Sequence, residues 1–74
     1  MDFGDIIKGL KKNKNAKYAR KGWNGKWMWI SLQVPDEHSM MNPPYIYMNT
    51  VSGKLVPWLA SQTDMLADDW ELVN

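Results

Sequence analysis

The stretch Trp27-Met28-Trp29-Ile30-Ser31-Leu32-Gln33-Val34 gives the clearest secondary-structure signal in this chain of 74 residues. Its side chains alternate, as those of a β-strand do when its two faces meet different surroundings. One face is wholly apolar and belongs on the protein core. The core face consists of Met28, Ile30, Leu32 and Val34. The other face carries Trp27 and Trp29 where an exposed strand would be polar, so we expect these two tryptophans at a subunit interface or on a ligand wall.

Shorter elements are predicted on both sides of this strand. Asp2 caps a first helix that runs to about Lys12 and presents an apolar stripe at helical spacing. Ser61 begins a short helix that runs to about Ala67, and Asp64 stands at the spacing of a capping box. The further strands are predicted over residues 16–20, 45–51, 54–56 and 70–73. A glycine-containing turn joins the second and third of these into a hairpin.

This order of elements predicts one α+β domain over residues 1–74. A small antiparallel sheet carries an N-terminal helix and a short C-terminal helix. A chain of this length buries only a small core, and it has no cysteine that could form a disulfide or bind zinc. Five tryptophans and six methionines are a high content of large apolar side chains for 74 residues. We therefore expect part of this surface to be buried between the subunits of a homo-oligomer.

Charge is spread unevenly, although the net charge is only +1. Cations concentrate in the first 26 residues and acids dominate the remainder. Because the acidic half can neutralise the basic half, binding to long nucleic acid is not expected, whereas a basic pocket for a small phosphorylated ligand remains open. No apolar run approaches the roughly 20 residues that span a bilayer. Charged residues also interrupt the N-terminus, so we expect a cytoplasmic protein without a membrane partner.

Patterns for catalysis and for metal binding are weak. The single histidine, His38, lies in a loop beside two acids, where a solvated side chain is the simpler interpretation. Asp64, Asp68 and Asp69 have no histidine or glutamate at ligand spacing. No phosphate-loop or dinucleotide fingerprint is present. We therefore predict that the protein is not an enzyme and that it uses no metal and no cofactor.

The turn at residues 20–26 carries the groups that a nucleotide requires. Trp23 offers a flat face for a base, and such stacking contributes about 1–3 kcal/mol per base. Neighbouring cations can bind phosphate, and short polar side chains can hydrogen-bond to ribose. Trp58 adds a second aromatic surface. The candidate ligand-binding residues are Arg20, Lys21, Trp23, Asn24, Trp58, Ser61, Gln62, Thr63 and Asp64. The alternative is that Trp23 fills the core and that the lysines form a solvated face.

Three blocks of sequence resemble one family of small phage and prophage proteins. The first block is Ala-Arg-Lys-Gly-Trp-Asn-Gly-Lys at residues 19–26, and the second is Pro-Tyr-Ile-Tyr-Met at residues 44–48. The third is Val-Pro-Trp-Leu-Ala-Ser-Gln-Thr-Asp-Met-Leu-Ala at residues 56–67. The resemblance covers nearly the whole chain. The family was long filed as a domain of unknown function, and it includes the second type of Thoeris anti-defence protein.

The resemblance implies capture of a ligand rather than catalysis. Members of this kind hold the cyclic ADP-ribose signal of a bacterial immune TIR enzyme intact, and some relatives take other cyclic nucleotides. They are homo-oligomers, typically tetramers, with ligand pockets at subunit junctions. Carried over by position, Trp23 and Asn24 resemble pocket residues, and residues 61–64 resemble part of the pocket wall.

A short loop and the two tryptophans of the central strand allow other functions. The loop at residues 35–44 is shorter than the corresponding segment of many relatives. If that longer segment closes over the ligand, this chain would bind the ligand more weakly, bind a different ligand or bind none. A second interpretation is a non-catalytic phage accessory module. In that case Trp27 and Trp29 would bind a protein partner and Trp23 would belong to the core.

Overall fold

The computed structural model describes residues 1–23 and 27–74 and confirms the α+β class. The elements are α1 Phe3–Lys12, β1 Tyr18–Arg20, β2 Trp29–Gln33, β3 Tyr45–Asn49, β4 Leu55–Pro57, α2 Gln62–Leu66 and β5 Trp70–Leu72. Each one begins and ends within two residues of its range predicted from the sequence. Local periodicity and capping residues were therefore sufficient to place the elements.

The five strands form one antiparallel sheet in the order β4-β3-β2-β1-β5. The predicted central strand, β2, pairs with β3 from Trp29 opposite Asn49 to Gln33 opposite Tyr45. On the other side of β1, the late strand β5 pairs with it so that Arg20 lies opposite Trp70. This pairing brings the turn after β1 beside the C-terminal part of the chain.

Helix α1 begins at a complete capping box. The Asp5 backbone N–H donates to Asp2 Oδ1 at 2.8 Å, and the Asp2 N–H donates to Asp5 Oδ2 at 3.0 Å. Asp5 in the first turn and two lysines in the last turn also suit the helix dipole. The apolar stripe buries Ile6 and Leu10, which are 0% and 1% exposed. The helix therefore packs on the sheet by the face that its sequence predicts.

The core lies between α1 and one face of the sheet. Its buried members are Ile6, Leu10, Ala16, Tyr18, Ile30 and Trp70. Ile30 confirms the core face predicted for β2. Met28 and Val34 do not belong to that core. The strand spans Trp29–Gln33, Met28 precedes it and lines a groove instead, and Val34 is exposed. Ser31 alternates with Ile30 and is nevertheless buried, since its hydroxyl donates to the Ala16 carbonyl at 2.7 Å.

Trp27 departs from the strand predicted for it. Its φ is 66°, in the left-handed region, so β2 begins two residues later. Gly53, in the turn between β3 and β4, also has a positive φ of 83°, which glycine adopts readily. A tryptophan has no such freedom, so the backbone at Trp27 is strained.

Tyr18 packs so closely against Gly9 of α1 that a side chain at this position would have no room. A Cβ added to Gly9 would fall on the Tyr18 hydroxyl and lie 2.8 Å from Tyr18 Cζ, whereas one added to Gly4 meets only Asp2 Oδ1 at 3.4 Å. We expect Gly9→Ala to lower the free energy of unfolding by about 1–2 kcal/mol, because overpacking outweighs the gain in helix propensity. Gly4→Ala is the matched control and should be neutral or stabilising. Equal effects of the two variants in urea unfolding would contradict the packing explanation.

Candidate functional site

The end of β1, the turn after it, α2 and the start of β5 meet at one corner of the molecule. We call it the Trp23 corner and define it by Arg20, Trp23, Asp64 and Asp69. Arg20 Nε donates to Asp69 Oδ1 at 2.8 Å, and Arg20 Nη1 donates to Asp64 Oδ1 at 2.9 Å. The side chains of these three residues are mostly covered. The guanidinium therefore joins β1 to two segments that lie more than forty residues later in the chain.

The turn after β1 is bound to the same two carboxylates. Trp23 Nε1 donates to Asp64 Oδ1 at 3.3 Å, and the Gly22 N–H donates to Asp69 Oδ2 at 2.9 Å. The Trp23 N–H also closes the turn on the Arg20 carbonyl at 3.2 Å. The indole N–H of Trp23 is thus already used within the subunit.

An aromatic cluster lies behind this turn. The Trp23 ring meets Trp70 edge to face at a centroid distance of 5.2 Å and Trp58 at 6.5 Å. Phe3 packs against both Trp58 and Trp70 at about 6 Å. Trp70 is 2% exposed, and its Nε1 donates to the Asp64 carbonyl at 3.0 Å. Trp23 itself is half-buried, so the structure places it at the rim of the core and not outside it.

Electrostatics at the corner favour the charged forms of all three ionic groups. The hydrogen bond from Arg20 lowers the pKa of Asp69 below its ordinary value. Partial burial acts to raise the pKa of Asp64, but hydrogen bonds led by that from Arg20 outweigh it, so this pKa is also lowered. Hydrogen bonds to Asp69 and Asp64 raise the pKa of Arg20. Two carboxylates against one guanidinium leave the cluster with a net charge of −1, so Arg20 is not an unpaired cation awaiting a phosphate.

The other predicted site residues fall into two groups. Ser61 caps α2, because its Oγ accepts from the Asp64 N–H at 3.0 Å. Lys21, Gln62 and Thr63 are exposed around the corner. Asn24 lies outside the described residues. The structure therefore brings most of the predicted set together, while the contacts of that set with a ligand stay a prediction.

Acid should weaken the corner in a defined direction. The pKa values of Asp64 and Asp69 are lower in the folded protein than the ordinary 3.8. Their ionisation therefore stabilises the fold fully above that ordinary value, and this stability is lost as the pH falls through the folded-state pKa values. We expect the free energy of unfolding, measured in urea from neutral pH to about pH 2, to fall most steeply at the acid end. Asp69→Asn should flatten this slope, and a slope unchanged by that variant would contradict the assignment.

A second feature is a groove that contains both tryptophans predicted for the outer face of the central strand, Trp27 and Trp29. We call it the Lys17 groove; its volume is about 390 Å³, and its lining residues are Lys17, Ala19, Trp27, Met28, Trp29, Val73 and Asn74. Lys17 Nζ lies 4.6 Å from the Trp29 ring centroid. Both side chains alternate with core residues, Tyr18 and Ile30, so they lie on the sheet face away from α1. The pairing of β1 with β2 brings them together, so the two tryptophans of the groove could be predicted from the sequence but Lys17 beside them could not.

Residues 1–23 and 27–74 offer neither a cluster of metal-binding side chains nor a membrane-spanning helix. This part of the chain contains no group of three or more histidine, cysteine, aspartate or glutamate side chains placed to hold a metal ion. None of its helices has the length and apolar character required to cross a bilayer.

Comparison with known proteins gives the family. Residues 1–73 match the Tad2-like family, described as the Thoeris anti-defense 2-like domain. The chain is 33% identical over 87 residues to Thoeris anti-defense 2 from Bacillus phage SP01, and the alignment covers 100% of this chain and 96% of that protein. The chain therefore belongs to the Tad2-like family of phage anti-defence proteins, and the resemblance drawn from its three sequence blocks is confirmed.

Proposed function

We propose that this protein is a phage or prophage anti-defence protein that binds and sequesters a cyclic nucleotide immune signal of the cyclic ADP-ribose type, without cleaving it. The observation that carries the proposal is membership of the Tad2-like family over residues 1–73. The protein would act in the cytoplasm of the bacterial host, where such a signal is made and read.

Sequestration sets a requirement on affinity. A protein that sequesters a signal needs a Kd of about 1 μM or better, which corresponds to a binding free energy of roughly −8 kcal/mol. A single stacked base contributes only about 1–3 kcal/mol. The ligand must therefore meet several surfaces at once, including cations and hydrogen-bonding groups. The exposed rim of the Trp23 corner supplies Lys21, Gln62 and Thr63 for this purpose.

Intact retention of the ligand agrees with the chemistry at the corner. Cleavage would need a group that can donate or accept a proton near neutral pH. The carboxylates of Asp64 and Asp69 are paired with Arg20, and their pKa values are lowered. His38 lies on an exposed loop, with Nε2 3.4 Å from the carboxylate of its neighbour Glu37. These groups suit binding and structure better than acid–base catalysis.

Self-association is part of the proposal. We propose a homo-oligomer, most simply the tetramer that the resemblance implies. Trp27 and Trp29 remain the candidates for subunit contact, because Trp27 is 81% exposed and Trp29 lies on the sheet face that α1 leaves uncovered. Leu59 and Leu66 are also almost fully exposed and add apolar surface elsewhere.

Native mass spectrometry tests binding and assembly together. The protein would be mixed with cyclic ADP-ribose isomers, a cyclic dinucleotide and linear ADP-ribose as the uncyclised control. We expect an oligomer whose mass increases by that of whole cyclic ligand, with linear ADP-ribose retained far less well. If no cyclic nucleotide binds with a Kd near the micromolar range, the sequestration proposal is wrong.

A protein-binding accessory module is the second candidate. It is favoured by one observation: the Trp23 corner satisfies its own hydrogen bonds while Trp27 projects into solvent. Under this alternative, a calorimetric screen of cyclic nucleotides shows no heat, and a phage or host protein binds to the Trp27 surface with defined stoichiometry.

A further inference from the structure

We propose that Asp69 is a positioning residue for the ligand, because it holds the turn after β1 in its binding shape before the ligand arrives. The turn carries Lys21 and Trp23, two of the candidate binding residues, whereas Asp69 lies outside it, directly before β5. Asp69 is not among the ligand-binding residues predicted from the sequence. This inference rests on the proposed function, since a residue can position a turn for a ligand only if the turn binds one.

Asp69 binds three consecutive residues where β1 ends and the turn begins. Its Oδ1 accepts from Arg20 Nε at 2.8 Å, and its Oδ2 accepts from the Gly22 N–H at 2.9 Å. Its backbone carbonyl accepts from the Lys21 N–H at 3.2 Å. The Trp23 N–H then donates to the Arg20 carbonyl at 3.2 Å. The backbone that leads to the Trp23 ring is therefore held at each step, and Asp69 supplies most of the contacts.

Asp69 is itself attached to a fixed part of the fold. Trp70, the next residue, is 2% exposed and lies opposite Arg20 in the pairing of β5 with β1. Because Asp69 adjoins this strand, its carboxylate is placed more precisely than it would be on an isolated loop. The strand pairing thus sets the position of the turn through Asp69.

The contact requires a carboxylate at position 69 and a bare backbone at position 22. A carboxylate accepts at both oxygens, whereas the carboxamide of asparagine would turn its NH2 group toward either Arg20 Nε or the Gly22 N–H. A Cβ added to Gly22 would lie 3.1 Å from Asp69 Oδ2 and 3.4 Å from Arg20 Nη2, so the carboxylate would have to move. Asp69→Asn and Gly22→Ala therefore disturb one contact from its two ends.

Charge alone predicts the opposite effect of Asp69→Asn. The cluster of Arg20, Asp64 and Asp69 carries a net charge of −1, and the loss of one carboxylate would make it neutral. A neutral cluster would favour a ligand that carries phosphate. Positioning predicts weaker binding instead, because a turn that adopts its binding shape only part of the time lowers the apparent affinity by that fraction. The direction of the change separates the two effects.

The test is a calorimetric titration with cyclic ADP-ribose, at a temperature where circular dichroism shows each variant to be folded. We expect Asp69→Asn and Gly22→Ala each to weaken binding by about fivefold or more. The double variant should lose little beyond the larger single effect, because both substitutions act on one contact. If Asp69→Asn does not fold, Gly22→Ala, which keeps every charge, carries the same test.

Two control variants match the change in charge and the loss of stability. Asp68→Asn removes the same charge from the exposed neighbouring residue and should bind within about twofold of the unmodified protein. Ile30→Val lowers stability at a buried residue of β2, a strand that contributes nothing to the Trp23 corner, and it should also bind within about twofold.

Amide hydrogen exchange on the ligand-free protein tests the turn directly. We expect the Gly22 amide to exchange faster in Asp69→Asn than in the unmodified protein, and at an unchanged rate in Ile30→Val. An unchanged rate in Asp69→Asn would show that Asp69 does not hold the turn and would overturn the inference.

The outcomes also separate this inference from the proposed function. If the unmodified protein binds cyclic ADP-ribose and both Asp69→Asn and Gly22→Ala bind it equally well or more tightly, the positioning role is wrong and the proposed function stands. An equal loss of affinity in Ile30→Val would assign the effect to stability and would likewise overturn the inference. If the unmodified protein binds no cyclic nucleotide, the proposed function is wrong and the positioning role is rejected with it.

Discussion

Replacing Trp70 by alanine is expected to lower the free energy of unfolding by about 3–5 kcal/mol. Trp70 is 2% exposed and is in contact with Phe3, Trp23 and Trp58. Its loss would leave a cavity where α1, the turn after β1 and β5 meet. A domain of this length has a total stability of roughly 0.05–0.15 kcal/mol per residue. The variant should therefore lose most of its stability and populate unfolded chain at room temperature.

Urea unfolding followed by circular dichroism measures this effect. Trp70→Phe keeps a ring in the cluster but removes the N–H that donates to the Asp64 carbonyl, so it should cost less, about 1–2 kcal/mol. Leu59→Ala is the surface control, because Leu59 is 92% exposed and should change stability by no more than about 0.5 kcal/mol. If Trp70→Ala and Leu59→Ala lowered the free energy of unfolding by similar amounts, Trp70 would not be a core residue.

The second large effect is expected at Trp23. Trp23→Ala should lower the free energy of unfolding by about 2–3 kcal/mol, because the ring packs edge to face against Trp70 and Trp58 and its N–H donates to Asp64. Half-burial makes this loss smaller than that at Trp70. Trp23→Phe should restore most of the packing while the hydrogen bond to Asp64 stays absent.

Affinity measured on the same variants distinguishes two roles for Trp23. If the ring serves only the fold, both folded Trp23 variants should bind ligand within about threefold of the unmodified protein. If Trp23 stacks on the base, as its place in the sequence predicts, Trp23→Ala should weaken binding far more than Trp23→Phe. A loss of affinity in Trp23→Ala, at a temperature where it is folded, would place the stacking surface at the corner.

The fold was largely predictable from the sequence because its signals are local. Alternation identifies β2, the Asp2 and Ser61 caps identify where the two helices begin, and Gly53 identifies the hairpin turn. The exceptions lie at the ends of β2. A left-handed tryptophan at position 27 cannot be read from alternation, which counts side chains and not backbone dihedral angles.

The candidate site was only partly predictable, because its decisive contacts are long-range. The sequence indicates that Arg20, Trp23 and Asp64 belong together. It does not indicate that Asp64 and Asp69 neutralise Arg20, since this follows from the pairing of β1 with β5. The meeting of Lys17 with Trp29 depends in the same way on the pairing of β1 with β2. Periodicity predicts which face a residue takes, while strand register decides its neighbours.

Under the proposed function, the ligand is captured and kept whole. The most direct measurement is to saturate the purified oligomer with cyclic ADP-ribose, remove unbound ligand, unfold the protein by heat and identify the released molecule by chromatography and mass spectrometry. The account predicts that the input molecule returns chemically unchanged and in a fixed ratio to protein. Recovery of linear ADP-ribose or of any other hydrolysed product, in the absence of such conversion when ligand is heated alone, would contradict it.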